Sequence, residues 1–175
     1  CWAVIEVLEP SASCPQLEAV WEEYQKPVHI EDEVLGTLKL NRDFGLLDGE
    51  ILWNGEEVSL ALEIDLDDEE TWDTTRSIAH KVMADRESWD KSMREFAAKK
   101  LTELANEWQA DDDEKENADP ITEDAFAQRI TLSELSLTYE GDFTAYFDDD
   151  DMFWGHIVEV CGSLENGIES ANIAG

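Results

Sequence analysis

The chain has 175 residues, the usual size of one domain, and a hydrophobic content of 42%, which is enough for a packed core. Its 44 Asp and Glu against 12 Lys and Arg give a formal net charge of −32. Such a charge repels phosphates and anionic lipid headgroups, so nucleic acids and membranes are excluded as expected partners and a basic protein is favoured.

The first part of the chain, residues 1–35, predicts an accessory strand and helix. The strand is expected around residues 4–8, and the helix begins at Ser13 and Pro15.

Three cysteines, Cys1, Cys14 and Cys161, form no Cys-x-x-Cys pair, and their odd number suits reduced thiols better than a disulfide framework. A Cys1–Cys14 bridge stays open as an alternative. No apolar run approaches the roughly 20 residues of a membrane-spanning helix, and we expect a cytoplasmic protein.

Three strands are predicted next, over residues 35–41, 50–53 and 58–64. The pattern Val58, Leu60, Leu62, Ile64 alternates as a half-buried strand does. Asn54-Gly55 is typical of a type I′ hairpin turn. These three strands predict an antiparallel meander.

Residues 71–108 have a helical pattern, as one helix or as two that meet at residues 85–88. The second part repeats apolar side chains with the 3.6-residue period of a helix that lies across a sheet; they are Trp89, Met93, Phe96, Ala97, Leu101, Leu104, Ala105 and Trp108. Residues 111–119 are acidic and end at Pro120, which predicts a solvated linker. A short helix follows, with Thr122 as its N-cap.

The remaining residues return to β structure, with strands predicted at residues 135–139, 143–147 and 157–161. The fold class is therefore α+β, with two antiparallel three-stranded β-meanders separated by, and packed against, two to three helices. We favour one sheet over two small ones. Residues 36–175 are expected to form a single α+β domain.

Charge placement gives the candidate site. Seven of the 12 Lys and Arg lie within residues 76–100, whereas residues 130–175 contain no Lys or Arg and ten Asp and Glu. Four adjacent carboxylates are followed at once by bulky apolar groups, a combination that suits an interface with a basic protein. The predicted partner-binding residues are Asp148, Asp149, Asp150, Asp151, Phe153, Trp154, His156 and, beside another acidic run, Trp72. The alternative is a solvated turn with Phe153 and Trp154 in the core.

No motif of an enzyme is present. His29, His80 and His156 are scattered, and no Gly-x-Ser-x-Gly, Walker or Rossmann pattern occurs. An EF-hand beginning at Asp65 fails, because Glu70 and Arg76 stand where Gly and Glu are required. We expect no catalytic residue, no metal and no cofactor.

Six segments resemble a bacterial family catalogued as domain of unknown function 2262. They are Gly36-Thr-Leu-Lys-Leu-Asn-Arg-Asp-Phe44, Trp53-Asn-Gly-Glu-Glu-Val58, Glu95-Phe-Ala-Ala98 with Leu104-Ala-Asn-Glu-Trp108, Phe153-Trp-Gly-His156 and Ala171-Asn-Ile-Ala-Gly175. The resemblance covers residues 36–175. It implies the order of the segments and a bacterial origin, and it carries no catalytic residues.

Small acidic bacterial domains of this kind look like the immunity proteins that neutralise antibacterial toxins. By that analogy we expect an inhibitor that captures a cationic toxin through an acidic surface with aromatic anchors. One alternative is a DNA mimic, whose carboxylates imitate phosphates and block several DNA-binding proteins. Another is a housekeeping domain whose acidity is an adaptation to high salt.

Overall fold

The computed structural model describes residues 14–112 and 118–175. The elements in chain order are α1 (Pro15–Tyr24), β1 (His29–Asp32), β2 (Gly36–Asn41), β3 (Leu46–Trp53), β4 (Glu56–Glu63), α2 (Glu69–Ala84), α3 (Arg86–Ala110), α4 (Glu123–Arg129), β5 (Thr131–Leu137), β6 (Asp142–Asp148), β7 (Ile157–Ser163) and β8 (Gly167–Ala174). The predicted strand at residues 4–8, Ser13, Cys1 and residues 113–117 of the predicted linker lie outside the described residues.

The eight strands form one sheet, in which the strand order β1 to β8 follows the chain. All neighbouring strands are antiparallel except β4 and β5, which run parallel because α2, α3 and α4 carry the chain back across the sheet. The prediction of an α+β fold with one sheet is confirmed.

The prediction of three strands per meander was wrong, because each meander has four. The first also contains β1, which has only four residues, three of them polar or charged. The second also contains β8, whose Glu, Ser, Ala and Asn have low β-propensity. Both are edge strands, so they have a partner strand on one side only.

Helix boundaries agree closely with the sequence pattern. The helical region is divided at Asp85, so that α2 and α3 are separate helices. The side chain of Asp68 caps α2 by accepting a hydrogen bond from the N–H of Glu70, and Thr122 caps α4 by accepting from the N–H of Ala125. The prediction that Thr122 is the N-cap of the short helix is therefore confirmed.

One face of the sheet packs against the helices and forms the core. Alternate strand residues are buried on this side, among them Leu60, Leu62 and Phe147. The buried helix residues that belong to the same core are Ile78, Ala79, Val82, Met83, Met93, Ala97, Ala98, Leu101, Ala105 and Phe126. The side chains that alternate with these strand residues point to the opposite face, which no described helix covers.

A polar network joins the two layers. Trp53 Nε1 of β3 donates to Asp90 Oδ1 of α3 at 2.9 Å, and Arg94 Nε donates to Asp90 Oδ2 at 2.8 Å. Arg94 also donates to the carbonyl of Ile130, between α4 and β5. Asp90 and Arg94 thus fix the sheet, α3 and the end of α4 relative to one another.

Helix α1 stands apart from this core. None of its residues is buried, and Leu17, Val20, Trp21 and Tyr24 are all exposed. Within the described residues, no helix is long and apolar enough to span a membrane.

Candidate functional site

The acidic loop, residues 148–156, joins β6 to β7 and has an unusual backbone. Asp150, Asp151 and Trp154 have positive φ angles of 49°, 59° and 58°. Left-handed backbone disfavours residues with a Cβ by about 1–2 kcal/mol, and Asp tolerates it better than a bulky residue does. Trp154 is therefore held in a conformation that its own side chain disfavours.

Asp149 holds the loop from the inside. It is only 4% exposed, and its carboxylate accepts hydrogen bonds from the N–H of Asp151 at 3.2 Å and of Phe153 at 2.6 Å. These bonds satisfy backbone groups of a tight turn. Asp149, predicted as a contact residue, is instead a structural side chain with little surface.

The other three carboxylates of the run differ in their surroundings. Asp150 pairs with Arg129 at the end of α4, which donates from Nε to Oδ2 and from Nη2 to the Asp150 carbonyl, both at 2.7 Å. Asp148 ends β6 and is exposed, as is Asp151. The run is thus partly neutralised by a neighbouring helix, a contact that sequence spacing did not indicate.

The two aromatic residues of the loop have different environments. Phe153 is fully buried, with ring centroids 5.6 Å from Trp108 and 6.1 Å from Phe126. Trp154 is 57% exposed and lies on Trp108, with ring centroids 4.8 Å apart. The prediction that Phe153 is a surface anchor was wrong, because its side chain packs in the core. Trp154, in contrast, is exposed at the surface.

His156 and Trp108 complete this aromatic cluster. The ring of His156 meets Trp108 edge to face at 5.6 Å. Trp108, near the end of α3, therefore contacts Phe153, Trp154 and His156. The sequence placed Trp108 on the apolar stripe of the helix but gave no sign that it would support the loop.

Trp72 does not belong to this site. It lies in the first turn of α2, and its Nε1 donates to the Asp65 carbonyl at 2.9 Å. Helix α2 follows β4, which is parallel to β5, whereas the acidic loop follows β6, which is antiparallel to β5. Trp72 and the loop are therefore at opposite ends of the strands, so the structure does not bring Trp72 together with the other predicted residues, and its role in partner binding stays a prediction.

Charge differs between the two layers of the fold. The helices α2, α3 and α4 carry eight Lys and Arg against ten Asp and Glu. The eight strands carry 12 Asp and Glu, and their only Lys or Arg is Lys39. The negative charge that the sequence placed toward the C-terminus is thus a property of the whole sheet.

A buried carboxylate outside the loop also went unpredicted. Asp32, at the end of β1, accepts from His80 Nε2 at 2.8 and 2.9 Å and lies 3.8 Å from Arg76, both on α2. Burial raises the pKa of Asp32, but the N–H groups of Val34 and Leu35 and the contact with His80 outweigh it, so the pKa is lowered. Asp32 links the edge strand to the helix layer.

In the part of the chain that the structure describes, no group of three or more His, Cys, Asp or Glu side chains is arranged to hold a metal ion.

These features define an acidic α+β protein with one eight-stranded sheet, a helix layer on one face and an exposed Trp on a constrained loop. The chain belongs to the family described as an uncharacterized protein conserved in bacteria, DUF2262, whose model matches residues 32–173. No curated protein and no solved structure matches the chain.

Proposed function

We propose that this protein is an acidic protein-binding module, an immunity-type inhibitor that captures a cationic bacterial toxin. The observation that carries the proposal is Trp154, a large aromatic side chain that is 57% exposed although its backbone is left-handed. Disfavoured backbone conformations cluster at functional sites, and Trp is among the side chains most often responsible for binding energy.

The support beneath Trp154 suits a binding anchor. Trp108 contacts one side of the indole, so the exposed ring has little rotamer freedom left to lose on binding. Carboxylates of Asp148 and Asp151 are exposed in the same loop. An aromatic anchor with an acidic rim matches a partner whose surface carries Lys and Arg around an apolar pocket.

Net charge supplies the second part of the mechanism. A formal charge of −32 accelerates the approach of a basic protein, whereas the contacts of Trp154 would set the lifetime of the complex. Association should therefore depend strongly on salt, and dissociation should depend mainly on the aromatic contact.

The proposal is tested by capture from a lysate of the source organism with the tagged protein, followed by elution with a salt gradient. We expect one basic protein that elutes late, that stops growth when expressed alone, and that is neutralised by co-expression of this chain. Retention of many unrelated DNA-binding proteins would instead indicate DNA mimicry. If nothing specific is retained and stability rises steeply toward molar KCl, the acidity is an adaptation to salt.

A further inference from the structure

The uncovered side of the sheet, here called the open face, presents side chains in rows that cross the strands. One row, given by the strand register, is Glu50, Ser59, Glu134, Tyr146, Glu159 and Asn172. The next is His29, Lys39, Asp48, Ala61, Ser136, Thr144, Cys161 and Ser170. The first row is acidic, and most of the second is small and uncharged.

No carboxylate of the acidic row forms an ion pair within the described structure. Glu134 and Glu159 are half-buried, yet no ion pair among the described residues includes either of them. Tyr146 lies between them in the row. Burial raises the pKa of Tyr146, and the negative charges of Glu159 and Glu134 raise it further. The row therefore carries negative charge that no ion pair among the described residues balances.

The shape of the open face leaves space for a ligand. A shallow concavity of about 580 Å³ is lined by the small residues Ser59 and Ala61 and by the backbone of Gly49. Its walls include Asp48, Glu50, Glu134 and the single strand cation, Lys39. Its volume lies within the range of pockets that bind ligands.

We propose that the open face is the surface on which the basic partner docks a Lys- or Arg-bearing segment, an inference that rests on the proposed function. Glu50, Glu134 and Glu159 stand on alternate strands, so their spacing is about 10 Å and the three span about 20 Å. Guanidinium groups pair with carboxylates through two parallel hydrogen bonds, and the small residues leave room for their alkyl stems.

Charge complementarity decides the occupant. An apolar helix is a poor match, because the two rows contain few apolar side chains, and a nucleic acid would place phosphates on carboxylates. The open face is also separate from Trp154, which contacts Trp108 of the helix layer. The partner would thus engage two surfaces: the indole of Trp154 and the acidic row.

The probe for this surface is octa-arginine, which spans roughly 26 Å when extended and so reaches from Glu50 to Glu159. Its affinity is measured by isothermal titration calorimetry in low salt. The double variant Glu134→Gln with Glu159→Gln should bind it about tenfold more weakly, since two charge-assisted contacts are lost. The matched control, Glu103→Gln with Glu107→Gln, removes the same charge from the exposed side of α3 and should change affinity less than about twofold.

A second pair of variants adds one charge rather than removing two. Ser59 is exposed between Glu50 and Glu134, so Ser59→Lys places an ammonium in the acidic row, whereas Ser92→Lys places it on exposed α3. Only Ser59→Lys should weaken octa-arginine binding. In each pair, one variant changes the open face and the other changes α3. If the two variants of either pair changed octa-arginine affinity equally, the peptide would respond to net charge alone, and the open face would not be the docking surface.

These measurements are independent of whether a toxin exists. If octa-arginine selects the open face but the lysate yields no basic partner, the proposed function fails and the cation-binding face stands. If the double variant Glu134→Gln with Glu159→Gln captures a basic toxin with the same affinity as the unchanged protein, the proposed function stands and the docking face is elsewhere.

Discussion

The indole of Trp154 rests on that of Trp108, with ring centroids 4.8 Å apart and planes inclined by 50°. The end of α3 thus supports the exposed aromatic residue of the acidic loop. Because Trp108 also contacts Phe153, the core and the surface anchor share one supporting side chain.

Trp154→Ala should weaken capture of the basic partner by about 30-fold or more, the loss of roughly 2 kcal/mol that defines a binding hot spot. The matched control is Trp21→Ala, because Trp21 on α1 is 58% exposed and Trp154 is 57% exposed. Affinities measured by surface plasmon resonance should change for Trp154 alone. An equal loss for both variants would mean that any exposed indole contributes.

Trp154→Gly should be more stable than Trp154→Ala by about 1 kcal/mol. Both variants lose the contact with Trp108, but glycine accepts the left-handed backbone at φ 58° without the steric cost of a Cβ. Urea unfolding followed by far-UV circular dichroism measures the difference. If alanine were the more stable, the backbone at this position would not be strained.

Asp149→Ala should lower the free energy of unfolding by about 1–3 kcal/mol, because the N–H groups of Asp151 and Phe153 lose their acceptor in a buried turn. Asp148→Ala, at an exposed neighbouring position, should change it by less than about 0.5 kcal/mol. Chemical denaturation of the two variants makes the comparison. Similar values would contradict the structural role of Asp149.

Gly162→Ala should be among the most destabilising alanine substitutions in the sheet, at about 3 kcal/mol or more. A Cβ at Gly162 would lie 2.1 Å from the Gly167 carbonyl oxygen and 2.9 Å from Phe143 Cε1. Gly55→Ala is the control, since nothing lies within 4 Å of its Cβ and only the positive φ is penalised. A thermal midpoint lowered no more than that of Gly55→Ala would rule out the close approach of β7 and β8.

Asp32→Asn should reduce stability in a pH-dependent way. The pKa of Asp32 is lowered from its ordinary value of 3.8, so its contribution is complete above that value and disappears as pH falls through the lower folded-state value. The loss on substitution, about 1–3 kcal/mol at pH 6, should therefore shrink over the range in which pH falls from above 3.8 to below the folded-state pKa. Urea unfolding across this range tests it, and a loss that is constant with pH would contradict the lowered pKa.

Local signals in the sequence predicted local structure well. Asn54-Gly55 predicted a turn in which both residues have positive φ, and the polar residues 85–88 predicted the division of the helical region at Asp85. The start of β3 was missed because Gly49 breaks the strand pattern. A Cβ at Gly49 would lie 2.7 Å from Leu38 Cδ2, so a larger residue there would force the Leu38 side chain to shift.

The candidate site was predictable only in part, because its geometry depends on contacts between distant elements. The sequence placed acids beside Phe153 and Trp154, but it did not decide which aromatic ring enters the core. That choice depends on Trp108 and Phe126, and the pairing of Asp150 depends on Arg129. The acidic row of the open face was hidden for the same reason: Glu134 and Glu159 become neighbours of Tyr146 only through strand register.

The parallel pair β4–β5 has a consequence for the order in which the protein folds. In every other pair of neighbouring strands, a short connection joins the two strands. The connection between β4 and β5, in contrast, consists of residues 64–130. Closing so long a loop has an entropic cost that is recovered only when the helices pack. We therefore expect each meander to nucleate by itself and the seam between them to form last, when α2 and α3 join the two halves.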